Sequence, residues 1–116
     1  MRIKALLIIA LAIAVTAPAY ADRRSDAKDQ VTFGISLAQK GLWDSAVTYF
    51  ERAVEIDDSY AAAWNNLGVA QEQLGKFDDA RKAYEKANEI EPDNQYIKNN
   101  YELFREIYDR QNRRRR

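Results

Sequence analysis

The sequence predicts an all-α fold: two helix–turn–helix repeats followed by one capping helix. Three observations carry this. All four glycines fall in one pattern that occurs twice, Gly34 and Gly41 seven residues apart, Gly68 and Gly75 seven apart, the second pair 34 residues after the first. Glycine costs helix stability, so regular spacing of this kind needs a structural cause, and a fixed period of this length marks stacked supersecondary units. The residue types around the glycines repeat in register, and after the second copy a third unit begins and stops.

The chain opens with a segment that reads as separate from the repeats. Arg2 and Lys4 form a basic start, Ala5 to Val15 is an uninterrupted apolar run, Pro18 is expected to break the helix, and Ala19-Tyr20-Ala21 supplies an A-x-A site. That order is a secretory signal peptide over residues 1–21, cleaved after Ala21. Residues 22–26 are then a short lead-in. A retained anchor is the alternative, although the run is shorter than the roughly 20 apolar residues that span a bilayer. Arg23-Arg24 follows the apolar run, so it is no twin-arginine signal. The expected location is periplasmic or secreted, or the inner membrane if the segment is retained.

The first repeat covers residues 27–60 and the second 61–94. Gly41 and Gly75 each follow a helical stretch, where a left-handed residue closes a helix. Asp44 and Asp78-Asp79 come just after, where the next helix dipole favours negative charge. Gly34 and Gly68 lie mid-helix. Small residues there let a second helix approach, with Ala46 and Ala80 expected opposite them and the aromatics Trp43, Phe77, Phe50 and Tyr84 filling the space around. Ala53 and Ala87, Ile56 and Ile90, and Phe33 and Leu67 complete the matched pairs. Ser25 or Asp26 is expected to cap the first helix, and Asp57-Asp58, like Asp78-Asp79, to cap helices and favour their dipoles. Pro92 ends the second copy, with Asp93 and Asn94 placed to cap the next helix. Residues 95–110 then show Ile97, Tyr101, Phe104 and Tyr108 on one face, with Glu102 at the glycine position, which reads as a solubilising cap helix. Helices are expected at about 26–40, 44–57, 60–74, 78–91 and 94–110.

The run Trp64-Asn65-Asn66-Leu67-Gly68, followed by Ala80, Tyr84, Ala87 and Pro92, resembles the tetratricopeptide repeat family. Gln71 stands where that family usually has tyrosine, and in the weaker first copy Gln30 replaces the tryptophan and Asp58 the proline. The resemblance implies a short right-handed α-solenoid that binds a protein or peptide partner on its concave face. The implied lining is Lys28, Val31, Ile35 and Ala38, then Ala62, Asn65, Val69 and Glu72, then Tyr96, Asn99, Leu103 and Glu106. Val31, Ile35, Val69 and Leu103 would form an apolar strip with asparagines beside it. Asn65-Asn66 and Asn99-Asn100 can hydrogen-bond a peptide backbone, or satisfy polar groups between neighbouring units. Some family members grip a C-terminal carboxylate in this groove. This chain has Asn66, but Val31 and Ile35 stand where that clamp has lysine and asparagine, so the clamp is not carried over. The released segment, the basic tail or a second copy are alternative occupants. Two repeats are few for such an array, so modest stability and a homo-oligomer or a steadying partner are expected.

Composition narrows the function classes. The chain has no cysteine and no histidine, which removes disulfides, thiolate chemistry and the usual residue of metal sites and neutral-pH acid–base catalysis. No enzyme activity, cofactor or metal is expected. Ser25-Asp26-Ala27-Lys28 matches the S-x-x-K string of serine acyl enzymes but lacks its companion strings. Neither aspartate pair has the alternating ligands of a calcium loop. The net charge of zero hides an uneven distribution: residues 22–109 hold 11 basic and 18 acidic residues, a net of −7, while Arg110 and Arg113, Arg114, Arg115 and Arg116 crowd the end. The tail, residues 111–116, would solvate the C-terminus, fold back on the acidic body, or meet an anionic membrane surface at about 1 kcal/mol per basic residue. Membrane association is the alternative function; export argues against nucleic acid.

Overall fold

The computed structural model describes residues 2–116, with side chains from residue 21 onward. The described residues form α1 (Arg2–Gln39), α2 (Trp43–Ile56), α3 (Ala61–Gln73), α4 (Phe77–Ile90) and α5 (Gln95–Arg115), with no strand among them. The fold is all-α, of the helix–turn–helix repeat type. The signal-peptide reading rests on side chains outside the described residues. Among the described residues, no helix is long and apolar enough to cross a membrane.

Both glycine turns close as the sequence requires. Gly41 and Gly75 each have φ of +75°, the left-handed region that glycine enters without penalty. At the first turn, Gly41 N donates to Ala38 O at 2.9 Å and Leu42 N to Leu37 O at 3.0 Å. At the second, Gly75 N donates to Glu72 O at 3.0 Å and Lys76 N to Gln71 O at 2.9 Å. This paired pattern satisfies the last carbonyls of each helix and turns the chain back. Asp44 in α2, and Asp78 and Asp79 in α4, sit in the first turns that follow. Asn94 caps α5, its side chain accepting from the backbone of Tyr96 at 3.1 Å and Ile97 at 3.2 Å.

The hairpins α1–α2 and α3–α4 stack through α2 against α3, and α5 closes the stack on α4. One core cluster joins α1, α2 and α3 around Phe50, Val31 and Leu67, and another joins α4 and α5 around Tyr84 and Phe104. Ala27, Ala46, Ala53, Ala63, Ala70, Ala80 and Ala87 are all fully buried, which lets the helices approach closely. The middle helix α3 buries Ala61, Ala63, Asn65, Leu67, Gly68, Ala70 and Gln71, because α1–α2 cover one side of it and α4–α5 the other.

Four expectations are corrected. The mid-helix glycines face aromatic rings, not the alanines: the three atoms nearest an added Cβ belong to Phe50 at Gly34 and to Tyr84 at Gly68. The rings lie one turn along from Ala46 and Ala80, and in an antiparallel hairpin that turn is the one crossing the glycine. Ser25 and Asp26 lie inside α1, so neither caps it. Pro18 does not break the first helix, since α1 runs from Arg2 to Gln39. Asp57 does cap a helix, as the C-cap of α2, while the N-cap of α3, Tyr60, makes no side-chain capping bond. Finally, α5 continues to Arg115, past the expected end near residue 110. Arginines in its last turn complement the negative end of the helix dipole.

The corner between α2 and α3 is braced from both sides. Asp57 Oδ1 accepts from Ser59 N at 3.1 Å and from Ser59 Oγ at 2.6 Å, a local turn that aspartate favours. Arg24 of α1 pairs with the other carboxylate oxygen of Asp57, donates to Ser59 Oγ at 3.1 Å, and lies over the Tyr60 ring at 4.8 Å. Burial pushes the Asp57 carboxyl up, but the bonds from Arg24 and Ser59 outweigh it and hold the group below its ordinary range. From the other side, the Trp64 indole donates to Asp58 O at 2.8 Å.

Candidate partner-binding groove

The first helices of successive units, α1, α3 and α5, lie side by side, α1 touching α3 and α3 touching α5. Residues 34 apart therefore form rows across them. The row Ile35, Val69 and Leu103 is open to solvent: Ile35 is 37% exposed, Val69 half-buried and Leu103 60% exposed. Ile35 and Val69 border a cavity of about 180 Å³ whose wall also includes Ala38, Trp43, Phe50 and Asn66. The wall is mainly apolar, and the cavity opens on the α1–α3 side of the row.

Not every predicted lining residue reaches this surface. Val31 is 5% exposed and belongs to the core; its row faces inward, and Asn65 in the same row is 1% exposed. Asn65 Oδ1 accepts from Asn100 Nδ2 at 3.3 Å, so this pair ties α3 to α5 inside the stack. Asn66 donates to Ala62 O of its own helix at 2.8 Å and keeps a place on the cavity wall. Asn99, at the open end of the buried row, is exposed and accepts from Gln95 Nε2 at 2.7 Å. Glu72 is half-buried and accepts from the Tyr84 hydroxyl at 2.8 Å. Burial and the adjacent Glu72 charge push the Tyr84 hydroxyl well above its ordinary range, so it remains a donor.

A comparison with known families matches residues 31–94 to the Tetratricopeptide repeat. The chain belongs to the tetratricopeptide-repeat family. Solved structures agree on the fold. The Sgt2 tetratricopeptide domain of Aspergillus fumigatus superposes with a TM-score of 0.72 at 24% identity, over 76% of this chain and 60% of that one. The Arabidopsis OM64 domain gives 0.70 at 20% identity, over 76% of this chain and 73% of that one. The second tetratricopeptide domain of human RPAP3, solved with an HSP70 peptide, gives 0.65 at 21% identity, over 69% of this chain and 67% of that one. This chain thus spans less than two thirds of the Aspergillus domain. A search of curated proteins found no match.

Within this tetratricopeptide-repeat protein, some site residues escaped the sequence reading. Trp43 and Phe50 wall the cavity although their positions signalled only filling between helices; aromatic rings at a hairpin's edge were the available cue. Tyr96, in a predicted lining position, is 69% exposed. Lys28 and Glu106 are exposed, Ala38 and Ala62 half-buried. In the Ser25–Lys28 string, Ala27 is buried while Ser25 and Lys28 are exposed on α1. Arg113, Arg114, Arg115 and Arg116 are all exposed at the end of α5.

Proposed function

We propose that this chain is a protein-docking module of the cell envelope, taking a segment of a partner protein into the groove across α1, α3 and α5. The observation that carries the reading is the exposed row Ile35–Val69–Leu103 beside the cavity of about 180 Å³. Exposed apolar residues in one row, next to a preformed apolar cavity, favour seating an aliphatic or aromatic side chain. The human relative's complex with an HSP70 peptide supports peptide capture by this fold. The envelope location rests on the signal-peptide pattern of residues 1–21.

The test is site-specific photocrosslinking in cells, from position 69 in the groove and from position 82, an exposed lysine on α4. A defined adduct from position 69, absent from position 82 and lost in Ile35→Glu/Leu103→Glu, is the expected result. The double variant must keep wild-type helicity by circular dichroism. Unchanged adduct formation in that folded variant overturns the groove reading.

The arginine-tipped end of α5 supports a second reading, association with an anionic membrane surface. Co-sedimentation with vesicles containing phosphatidylglycerol, for the full chain and a chain ending at Gln111, separates the two. Vesicle binding lost with the tail while the position-69 adduct persists assigns the tail, and not the groove, to lipid.

A further inference from the structure

Resting on the docking reading, we infer that the partner segment is cationic as well as apolar. Its apolar side chain occupies the α1–α3 cavity, and an arginine or lysine lies between Glu72 and Glu106. These glutamates hold the same position in successive units, 34 residues apart, and so form a row beside the apolar one. Glu72 is held in place by the hydroxyl of a tyrosine that is itself 2% exposed, a carboxylate fixed from within the core. Glu106 is exposed on α5 with Glu102 and Asp109, and among the described residues none of these three takes part in an ion pair.

Among the described residues, no cation of this chain forms an ion pair with Glu72 or Glu106. Arg81 pairs with Glu85 at 3.0 Å, the Arg105 guanidinium lies over the Tyr101 ring at 5.7 Å, and Arg110, one turn beyond Glu106 on α5, takes part in no ion pair among the described residues. Arg113, Arg114, Arg115 and Arg116 lie past Glu106 toward the far end of α5. The helix continues from Glu106 through Arg115, carrying the arginines away at about 1.5 Å per residue on a rigid rod. The acidic end of the groove is therefore complementary to a cation delivered by another chain. It also repels an acidic segment, and like charges brought together at an interface strongly disfavour the wrong partner.

The geometry sets a spacing. Neighbouring first helices lie roughly 10 Å apart, which an extended peptide covers in about three residues. The test is fluorescence anisotropy of the full chain with three synthetic peptides of about ten residues in a Gly/Ser background. One carries leucine followed about three residues later by arginine, the second has glutamate for the arginine, and the third has serine for the leucine. The Leu/Arg peptide is expected to bind about tenfold more tightly than the Leu/Glu peptide, a gap that narrows at about 0.5 M salt. In Glu72→Gln/Glu106→Gln, with helicity unchanged, the preference should fall to about twofold or less.

Equal binding of the Leu/Arg and Leu/Glu peptides overturns the cationic inference and leaves the apolar groove standing. Loss of the leucine without effect, or no binding by any peptide, overturns the groove reading as well. Concentration-dependent dimerisation by light scattering, lost when Arg113–Arg116 are removed, names a second copy's tail as the occupant and overturns a foreign partner.

Discussion

A Cβ on Gly34 would stand 2.5 Å from Cε1 of Phe50, whereas one on Gly68 would stand 3.1 Å from the ring of Tyr84. The two glycines hold equivalent places in their repeats, yet the first is the tighter. Phe50 is 1% exposed, and its ring would have to leave its core contacts, toward the cavity it walls, before a side chain at Gly34 could fit.

Alanine at these sites should therefore separate the repeats. Gly34→Ala is expected to destabilise by about 1–3 kcal/mol through overpacking, less up to about 1 kcal/mol recovered in helix propensity. Gly68→Ala should lie within about 1 kcal/mol of wild type, because a shift of a few tenths of an ångström relieves its contact. Urea denaturation ranks the two, and a Gly68→Ala cost equal to that of Gly34→Ala refutes the argument.

Gly41→Ala and Gly75→Ala test a different mechanism. Nothing lies within 4 Å of a Cβ at either position, but both residues have φ of +75°. The cost is then backbone strain alone, about 1–2 kcal/mol and nearly equal at the two turns. Asparagine, which tolerates the left-handed region better, should cost less than alanine at both. Unequal costs or no benefit from asparagine, read in urea midpoints, would point away from strain.

Acid should loosen the corner between α2 and α3. Asp57 has a carboxyl pKa lowered in the folded state from its ordinary 3.8. A lowered carboxylate adds stability that is complete above the ordinary value and is lost as the pH falls through the lower, folded one. Asp57→Asn should reduce stability near neutral pH and flatten the loss of stability below about pH 4. Arg24→Ala should flatten the same limb in part. Thermal unfolding between about pH 2 and 7 reads both, and an unchanged acid limb in Asp57→Asn contradicts the assignment.

Gln71 is 9% exposed, and its Oε1 is buried without a hydrogen-bond partner. An unmet buried acceptor costs about 1–3 kcal/mol. Gln71→Met, similar in length and free of that acceptor, should raise stability by about 1 kcal/mol or more. A lower urea midpoint would show that the amide has a partner, such as a buried water. Gln71 and Gln30 are both departures from the family pattern, and each leaves a buried amide oxygen unpartnered.

Much of the architecture was readable in advance because it is written locally. Gly41 and Gly75 demand a left-handed turn whatever packs around them, and the spacing of Ile97, Tyr101, Phe104 and Tyr108 gives α5 an apolar face before any partner is known. Of these, Ile97 and Phe104 are buried, and Tyr101 and Tyr108 pack partly buried against the α4–α5 core. The exposure of the expected lining residues was legible by halves. Ile35, Val69 and Leu103 are open to solvent as their repeat positions implied, but Val31 and Asn65 turned inward. One row of a helix meets solvent and the next meets its neighbour, and that division depends on how far adjacent units rotate, which no single helix encodes.

The periodic glycines, the matched alanines and the alternation of apolar and charged faces determined by themselves that this chain folds as stacked helical hairpins, since turn conformation and helix periodicity are properties of a few consecutive residues. Tertiary structure alone decided that Phe50 and Tyr84 fill the glycine gaps, that Asn65 bonds Asn100, and that Arg24 reaches Asp57. Each joins residues far apart in the chain, and only the angle and depth of packing between helices bring such side chains together.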